Sequence, residues 1–516
     1  MAPSHALAVD EAHRQHLADV SLWRMLHKSS AAESEHAAII SHYQPQHTLE
    51  ALLPIELRSV RPGNVLSWTF QQLSAAAQRL GIHLCERGLS DGATLLCLEN
   101  NSLEWAVTFW ACAFLHVAFV PVNPQVAHRP REFQHILDIV RPKCIVIGDA
   151  RDADYLDNYR QDDPSHVLKL CLRGIVPSSD KTGSGQWTDL DTFLAGPRKS
   201  HEHDDRVNEA CDTATPALIL FTSGTTSLPK ACPHTAMNLQ SQTDGFAYAR
   251  KYQPHSNALV GGPTFHIQAV WNVLMAWRGG ATVIFPARRM TADSAVQCLN
   301  EYRCTHFSCS TAIVQEIASH RNLSPDGYPS LEVLAVGADF VSASIAQKCQ
   351  DVFRAKRFIN GWGMSEGIGI LGLLPDELPR WYNGYLTVGR AMPGNAVRVC
   401  SPVSEEPVQR GEVGELHVSS PSVIKGYLQC QGAVSSESNS INDTQWTKTG
   451  DAVIMDNDGY IYMISRYKDL IIRGGENISP AVMEQCLNVI PGVKVFNARK
   501  YQSGIQLTTH SFKSSV

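Results

Sequence analysis

A run of hydroxyls closed by a lysine, Thr222-Ser223-Gly224-Thr225-Thr226-Ser227-Leu228-Pro229-Lys230, follows the apolar stretch Ala217 to Phe221. Backbone N–H groups freed by Gly224, the hydroxyls of Ser223, Thr225, Thr226 and Ser227, and the Lys230 ammonium can converge on one anion. Phosphate chemistry is therefore the first expectation. The stretch is not a Walker A loop, which needs Gly before its Lys and Ser or Thr after it; Pro229 and Ala231 stand there. Such composition usually marks a solvated loop. A buried strand feeding Ser-Gly-Thr-Thr and then Pro-Lys is more ordered than a linker requires. A second cluster, Asn360-Gly361-Trp362-Gly363-Met364-Ser365-Glu366, sets an aromatic between two glycines. A flat ring there can stack on a base with backbone close by, and the carboxylate that follows can hold Mg²⁺ against phosphate oxygens.

Thr222 to Lys230 resembles the phosphate-binding signature of the adenylate-forming superfamily, with Ser227 where that family usually has Gly. The superfamily comprises acyl- and aryl-CoA synthetases, peptide-synthetase adenylation domains and firefly-type luciferases. Gly261-Gly262-Pro263-Thr264-Phe265-His266 resembles its second motif, which implies that His266 lines the acyl pocket, together with Val336 and Ile368. Val336-Gly337-Ala338-Asp339 resembles the loop lying along adenine. In Asn360 to Glu366 the family's commoner residues are Tyr at the aromatic and Thr before the Glu. The resemblance assigns Trp362 to adenine stacking, with Gly363 beside it, Ser365 to the α-phosphate and Glu366 to magnesium. Trp446-Thr447-Lys448-Thr449-Gly450-Asp451 resembles the motif whose Asp accepts hydrogen bonds from both ribose hydroxyls, a task for an acceptor-only carboxylate. Ser465 to Pro480 matches the interdomain hinge, with Arg466 reaching the ribose, Lys468 at the hinge and Gly474 and Gly475 lining a pantetheine channel.

The elements that must carry these motifs are legible as short apolar runs separated by helical patterns. Runs at Ala93 to Leu98, Cys144 to Ile147, Val167 to Leu172, Ala217 to Phe221, Ala281 to Phe285 and Leu331 to Val336 read as strands covered on both faces. A helix is expected over Trp68 to Arg87, capped by Thr69 and stopped by Gly88. Trp105 to Val122 is nearly long enough to span a bilayer, but Thr108, His116 and Pro121 favour a buried helix running into a buried strand. Residues 1 to about 60 read as a polar arm whose Ser21 to Leu26 piece packs on a core. Ser178 to Thr213 reads as a loop, and His201 and His203 beside Asp204 and Asp205 as solvated residues of it rather than a metal site. After Gly389 short strands and Gly turns suggest a β-rich subdomain, about 389–465.

The 516 residues, 44% of them apolar, suggest roughly two to four compact units. A net charge of -6 without a basic run argues against nucleic acid or an anionic membrane as partner. Fourteen cysteines without a C-x-x-C pair read as reduced thiols of a cytoplasmic protein. No apolar h-region opens the chain.

The expected fold is α/β: a large N-terminal AMP-binding adenylation body, 1–465, of two sheet-and-helix subdomains and the β-rich one. A shortened C-terminal α+β domain, 466–516, follows. The resemblance implies activation of a small carboxylic acid with ATP and Mg²⁺, with Thr225, Thr226, Lys230 and Glu366 as the catalytic set. Transfer to coenzyme A comes first and to a carrier protein second. The acid is expected to be larger than acetate, in the setting of a secondary-metabolite pathway. The match fades near Pro491-Gly492-Val493 without the family's terminal Gly-Lys pair, and Lys494, Lys500 and Lys513 have no claim to its role. Slow adenylation, an inert nucleotide-binding protein and a luciferase-type oxygenase are therefore the rival expectations.

Overall fold

The computed structural model describes residues 9–11, 21–32, 34–58, 65–156, 167–174, 187–195, 215–222, 228–337, 339–429, 440–441, 446–469, 471–473, 476–478, 496–501 and 504–509. Two seven-stranded sheets form the body. In the first, Thr94–Leu98 lies centrally between Ala118–Pro121 and Cys144–Ile147, all parallel, and Ala231–Thr235 returns antiparallel to Pro216–Phe221 at one edge. The second runs Arg357–Gly361, Val333–Gly337, His306–Ser310, Asn257–Val260, Thr282–Phe285, Ala37–Ser41 and Leu66–Thr69, parallel except for the last pair.

Helices fill the space between the sheets. Phe70–Glu86 starts at Thr69, whose hydroxyl accepts from Gln72 N while the Gln72 side chain accepts from Thr69 N, a reciprocal cap that fixes the first turn. Leu103–Leu115 is buried on every face, which is why it reads as nearly continuous apolar sequence. Its Trp105 stacks on Phe109 at 5.2 Å and its Trp110 meets Trp277 edge-on at 5.5 Å. No helix among the described residues is long and apolar enough to cross a membrane. No disulfide joins the cysteines among the described residues, and all but Cys85 are buried.

The third sheet is antiparallel and nine-stranded. Its strands start upstream of the texture change at Gly389, with Leu371–Gly372 and Tyr385–Ala391, and run to Ile461–Arg466. Val9–Glu11 closes one edge by pairing with Ala396–Cys400, and Arg410 donates to the Val9 carbonyl at 2.9 Å. The expected polar arm is thus incorrect in part. Leu22–Ala32 is a helix with Trp23 fully buried, and Ala37–Ser41 is a strand of the second sheet. Further along the chain Ile471–Arg473 pairs antiparallel with Glu476–Ile478, and Phe496–Tyr501 with Gly504–Thr509.

Candidate active site

In parallel sheets the strand carboxyl ends deliver chain to a shared crevice. Here the ends of His306–Ser310, Val333–Gly337 and Arg357–Gly361 open on a cavity of about 1470 Å³, which Ser310, Val336 and Gly361 line. Gly337 pairs with Gly361, and a Cβ on Gly337 would stand 2.5 Å from the Gly361 carbonyl oxygen, so the two strand ends approach this closely only because Gly337 lacks a side chain. His266 lines the cavity ahead of helix Ile267–Arg278; its ring faces the open space, yet its neighbours desolvate it enough to lower its pKa. Ile368 lines it too, and a Cβ on Gly363 would meet the Ile368 side chain at 2.7 Å.

Trp362, Gly363, Ser365 and Glu366 follow the Arg357–Gly361 strand into the lining. The Trp362 indole N–H donates to Asp451 Oδ2 at 3.0 Å. Asp451 and Arg466 are register partners in adjoining strands, with Arg466 Nε 3.0 Å from Asp451 Oδ1. That second contact is an ion pair without good hydrogen-bond geometry, so Oδ1 keeps its lone pairs. Burial raises the Asp451 pKa, against the pull of Arg466 and the Trp362 donor. Arg466 itself lines the cavity, whereas Asp451 is buried behind it and Trp362.

Thr222 and Lys230 close the hydroxyl loop at its base: Thr222 N donates to the Lys230 carbonyl, and Lys230 N to the Thr222 hydroxyl, each at 3.0 Å. Ser223, Gly224, Thr225 and Thr226 lie outside the described residues, as do Ala338, Gly474, Gly475, His201 and His203. The Lys230 ammonium stands over the Tyr427 ring at 4.6 Å, and the Tyr427 hydroxyl donates to Glu366 Oε1 at 2.5 Å. Two backbone contacts enforce this: Leu428 N donates to the Ala231 carbonyl at 3.0 Å and Ile424 N to the Glu366 carbonyl at 2.9 Å. Segment 424–428 thus straps the lysine of one motif to the carboxylate of another.

Sequence reasoning missed Tyr427, and it missed His234. His234 Nε2 lies 2.9 Å from the Ser365 carbonyl and Nδ1 3.2 Å from Gln242 Nε2, which also donates to the Ser422 carbonyl. A carbonyl on one side and an amide donor on the other fix the neutral Nε2–H tautomer. Burial pushes the ring down to about 4, and it stays neutral while holding the turn that carries Ser365. The Gly-Tyr pair after a short apolar run was the available signal for Tyr427. For His234, inside a strand, there was none.

Residues 55–428 match the family described as AMP-binding enzyme. A feruloyl-CoA synthase of Amycolatopsis sp is 32% identical over 441 residues, covering 84% of this chain and 81% of its own length. A 2-succinylbenzoate–CoA ligase of Bacillus licheniformis is 26% identical over 436 residues, 82% of this chain and 80% of that protein. Among solved structures, the anthranilate CoA ligase AuaEII in complex with anthranoyl-AMP superposes with a TM-score of 0.77 at 18% identity, covering 95% of this chain and 86% of that one.

Proposed function

This chain belongs to the AMP-binding enzyme family, and we propose that it is an AMP-forming acid–thiol ligase that joins a carboxylic acid to coenzyme A through an acyl-adenylate. The observation that carries the reading is the convergence of Trp362, Ser365, Glu366 and Arg466 on one cavity, with Asp451 held behind them. A planar ring beside a buried carboxylate and a guanidinium suits a purine nucleoside. The Ser365 hydroxyl on the next turn can donate to its α-phosphate, and the adjoining Glu366 carboxylate suits a cation that neutralises phosphate charge.

In this reading the acid attacks the α-phosphorus in line and pyrophosphate leaves towards Thr225, Thr226 and Lys230. The thiol of coenzyme A then displaces AMP. Positioning and charge neutralisation supply most of the rate. Glu366 fits a Mg²⁺ partner: Oε1 accepts from Tyr427, and Oε2 would be left to hold the cation. The described residues hold no cluster of three or more His, Cys, Asp or Glu that would suit an all-protein cage. When bound, the ion would screen phosphate charge as the bond to pyrophosphate breaks. Lys230, pinned over Tyr427, contributes the protein's own cation. A cavity of about 1470 Å³ accommodates an acid larger than acetate beside the nucleotide. Relatives named as a CoA ligase and a CoA synthase make coenzyme A the acceptor of choice.

ATP–pyrophosphate exchange over a panel of carboxylic acids, with CoA-ester formation followed in parallel, tests the reading. Exchange should depend on the acid and fall about 10²-fold or more in Lys230→Ala, the scale for losing one preorganised charge. Acid-independent exchange, or exchange equal in the variant, would overturn it.

A further inference from the structure

Arg250 ends the helix Ala236–Arg250, and only 4% of it is exposed, yet it lines the cavity. Its carbonyl accepts from His306 Nε2 at 2.7 Å, but its guanidinium has no hydrogen-bond or carboxylate partner among the described residues, and its Nε is buried and unsatisfied. The groups that face it make matters worse or help little. Arg357 is a second cation, itself bonded to the Ala249 and Leu374 carbonyls, and Tyr252 offers a neutral phenol. The rings of Trp271 and Phe246 lie 5.3 and 6.0 Å from the guanidinium carbon. Cation–π contacts at such distances offset only a small part of what desolvating an unpaired ion costs. The balance is unfavourable, and burial accordingly lowers the Arg250 pKa. Arg288 and Arg466 line the same cavity, but each is held by a carboxylate, Glu99 at 2.9 Å and Asp451 at 3.0 Å.

A buried cation with an open face onto a cavity calls for an anion from outside the chain. That anion is not the group being activated. Arg250 lies beside His306 and Arg357, which open the strands His306–Ser310 and Arg357–Gly361, whereas the opposite ends of those strands, about 13 Å on, lead to Ser310 and to Trp362–Glu366. The Phe246 and Trp271 rings that flank the guanidinium also line the cavity, so whatever carries the anion meets aromatic surface there and has an apolar or aromatic body.

We propose that Arg250 is the counter-charge for a second carboxylate at the far end of the acyl substrate, which makes the preferred acid a dicarboxylate with an apolar or aromatic body. The proposal rests on the ligase reading for the other end of that acid. Loss of the side chain therefore has two separable effects. It removes discrimination for the distal carboxylate, and it relieves an uncompensated buried charge, so the ligand-free protein becomes more stable rather than less.

Calorimetric titration of the full chain with matched pairs of acids tests this. Each pair shares one body and differs only in a terminal carboxylate against a methyl or hydrogen, for aliphatic and aromatic bodies alike. The wild type should bind the better diacids at least 10-fold more tightly than their monoacid partners. In Arg250→Met that preference should vanish, and the melting temperature without ligand should rise. Equal binding of every pair by the wild type overturns the proposal. So does a variant that keeps the preference, or one that melts lower with the preference intact, which would mark Arg250 as a packing residue. If Arg250→Met does not fold, Arg250→Gln takes its place. Pyrophosphate exchange separates the two readings. Arg250-dependent diacid binding without exchange sinks the ligase reading alone, and exchange confined to monoacids sinks the Arg250 proposal alone.

Discussion

At the scale of single residues, the phenol of Tyr427 joins two motifs that lie far apart in the chain. Its hydrogen bond to Glu366 is charge-assisted, a class contributing about 1.5 to 3 kcal/mol. If that bond orients Glu366 towards a cation, Tyr427→Phe should slow pyrophosphate exchange about 10-fold and raise the Mg²⁺ concentration needed for half-maximal rate. Burial and the Glu366 charge raise the Tyr427 pKa, so the phenol stays protonated across the working range and no pH optimum should report it. A Phe variant with unchanged Mg²⁺ dependence would reduce Tyr427 to packing with Cys232 and Ile424. Trp362 and Glu366 were legible because glycines, an aromatic and a carboxylate crowd one short stretch. Tyr427 offered only its Gly-Tyr pair, and His234 and Arg250 offered nothing, because the groups that surround them are brought near only by tertiary structure.

At the scale of elements, the parallel strands could be read directly, since burial on both faces leaves uninterrupted apolar runs such as Cys144-Ile145-Val146-Ile147. Ala37–Ser41 escaped because only Ile39 and Ile40 are large apolar residues in it, beside two alanines and a serine, and its partner Thr282–Phe285 lies far along the chain. The contact of Gly337 with Gly361 is a property of paired strand ends rather than of either residue. Gly337→Ala would press a methyl against the Gly361 backbone, where no side chain can swing away. Overpacking of this kind typically costs about 1 to 3 kcal/mol. Urea titration should show the unfolding free energy lowered by that much and the midpoint shifted down, with weaker ATP binding as the strand ends part; an unshifted midpoint would mean the strands slide apart freely.

For the molecule as a whole, acid should be destabilising through its buried histidines. His234 and His306 are both pushed down to about 4 by burial, below the ordinary value near 6.5. The unfolded chain takes up those protons first as pH falls, so the stability is fully present above about 6.5 and drains as pH falls towards 4. Glu99 opposes this, since burial and Glu104 raise its carboxyl and its ionisation costs stability as pH rises. Two groups against one leaves a net loss on the order of 1 to 2 kcal/mol between pH 6.5 and 5. Melting temperature followed over that interval should fall, and Glu99→Gln should steepen the fall; a flat profile would mean one histidine is already charged in the fold. The third sheet was visible in the sequence as a change of texture, but not its first strand, since Val9–Glu11 is three residues of no particular composition. That strand has a practical meaning. It caps the open side of Ala396–Cys400, so a clone beginning after residue 11 would leave a row of unpaired amides and carbonyls facing water, ready to recruit the same strand from a neighbouring molecule. Solubility of this protein would then be decided at its first dozen residues, far from any chemistry.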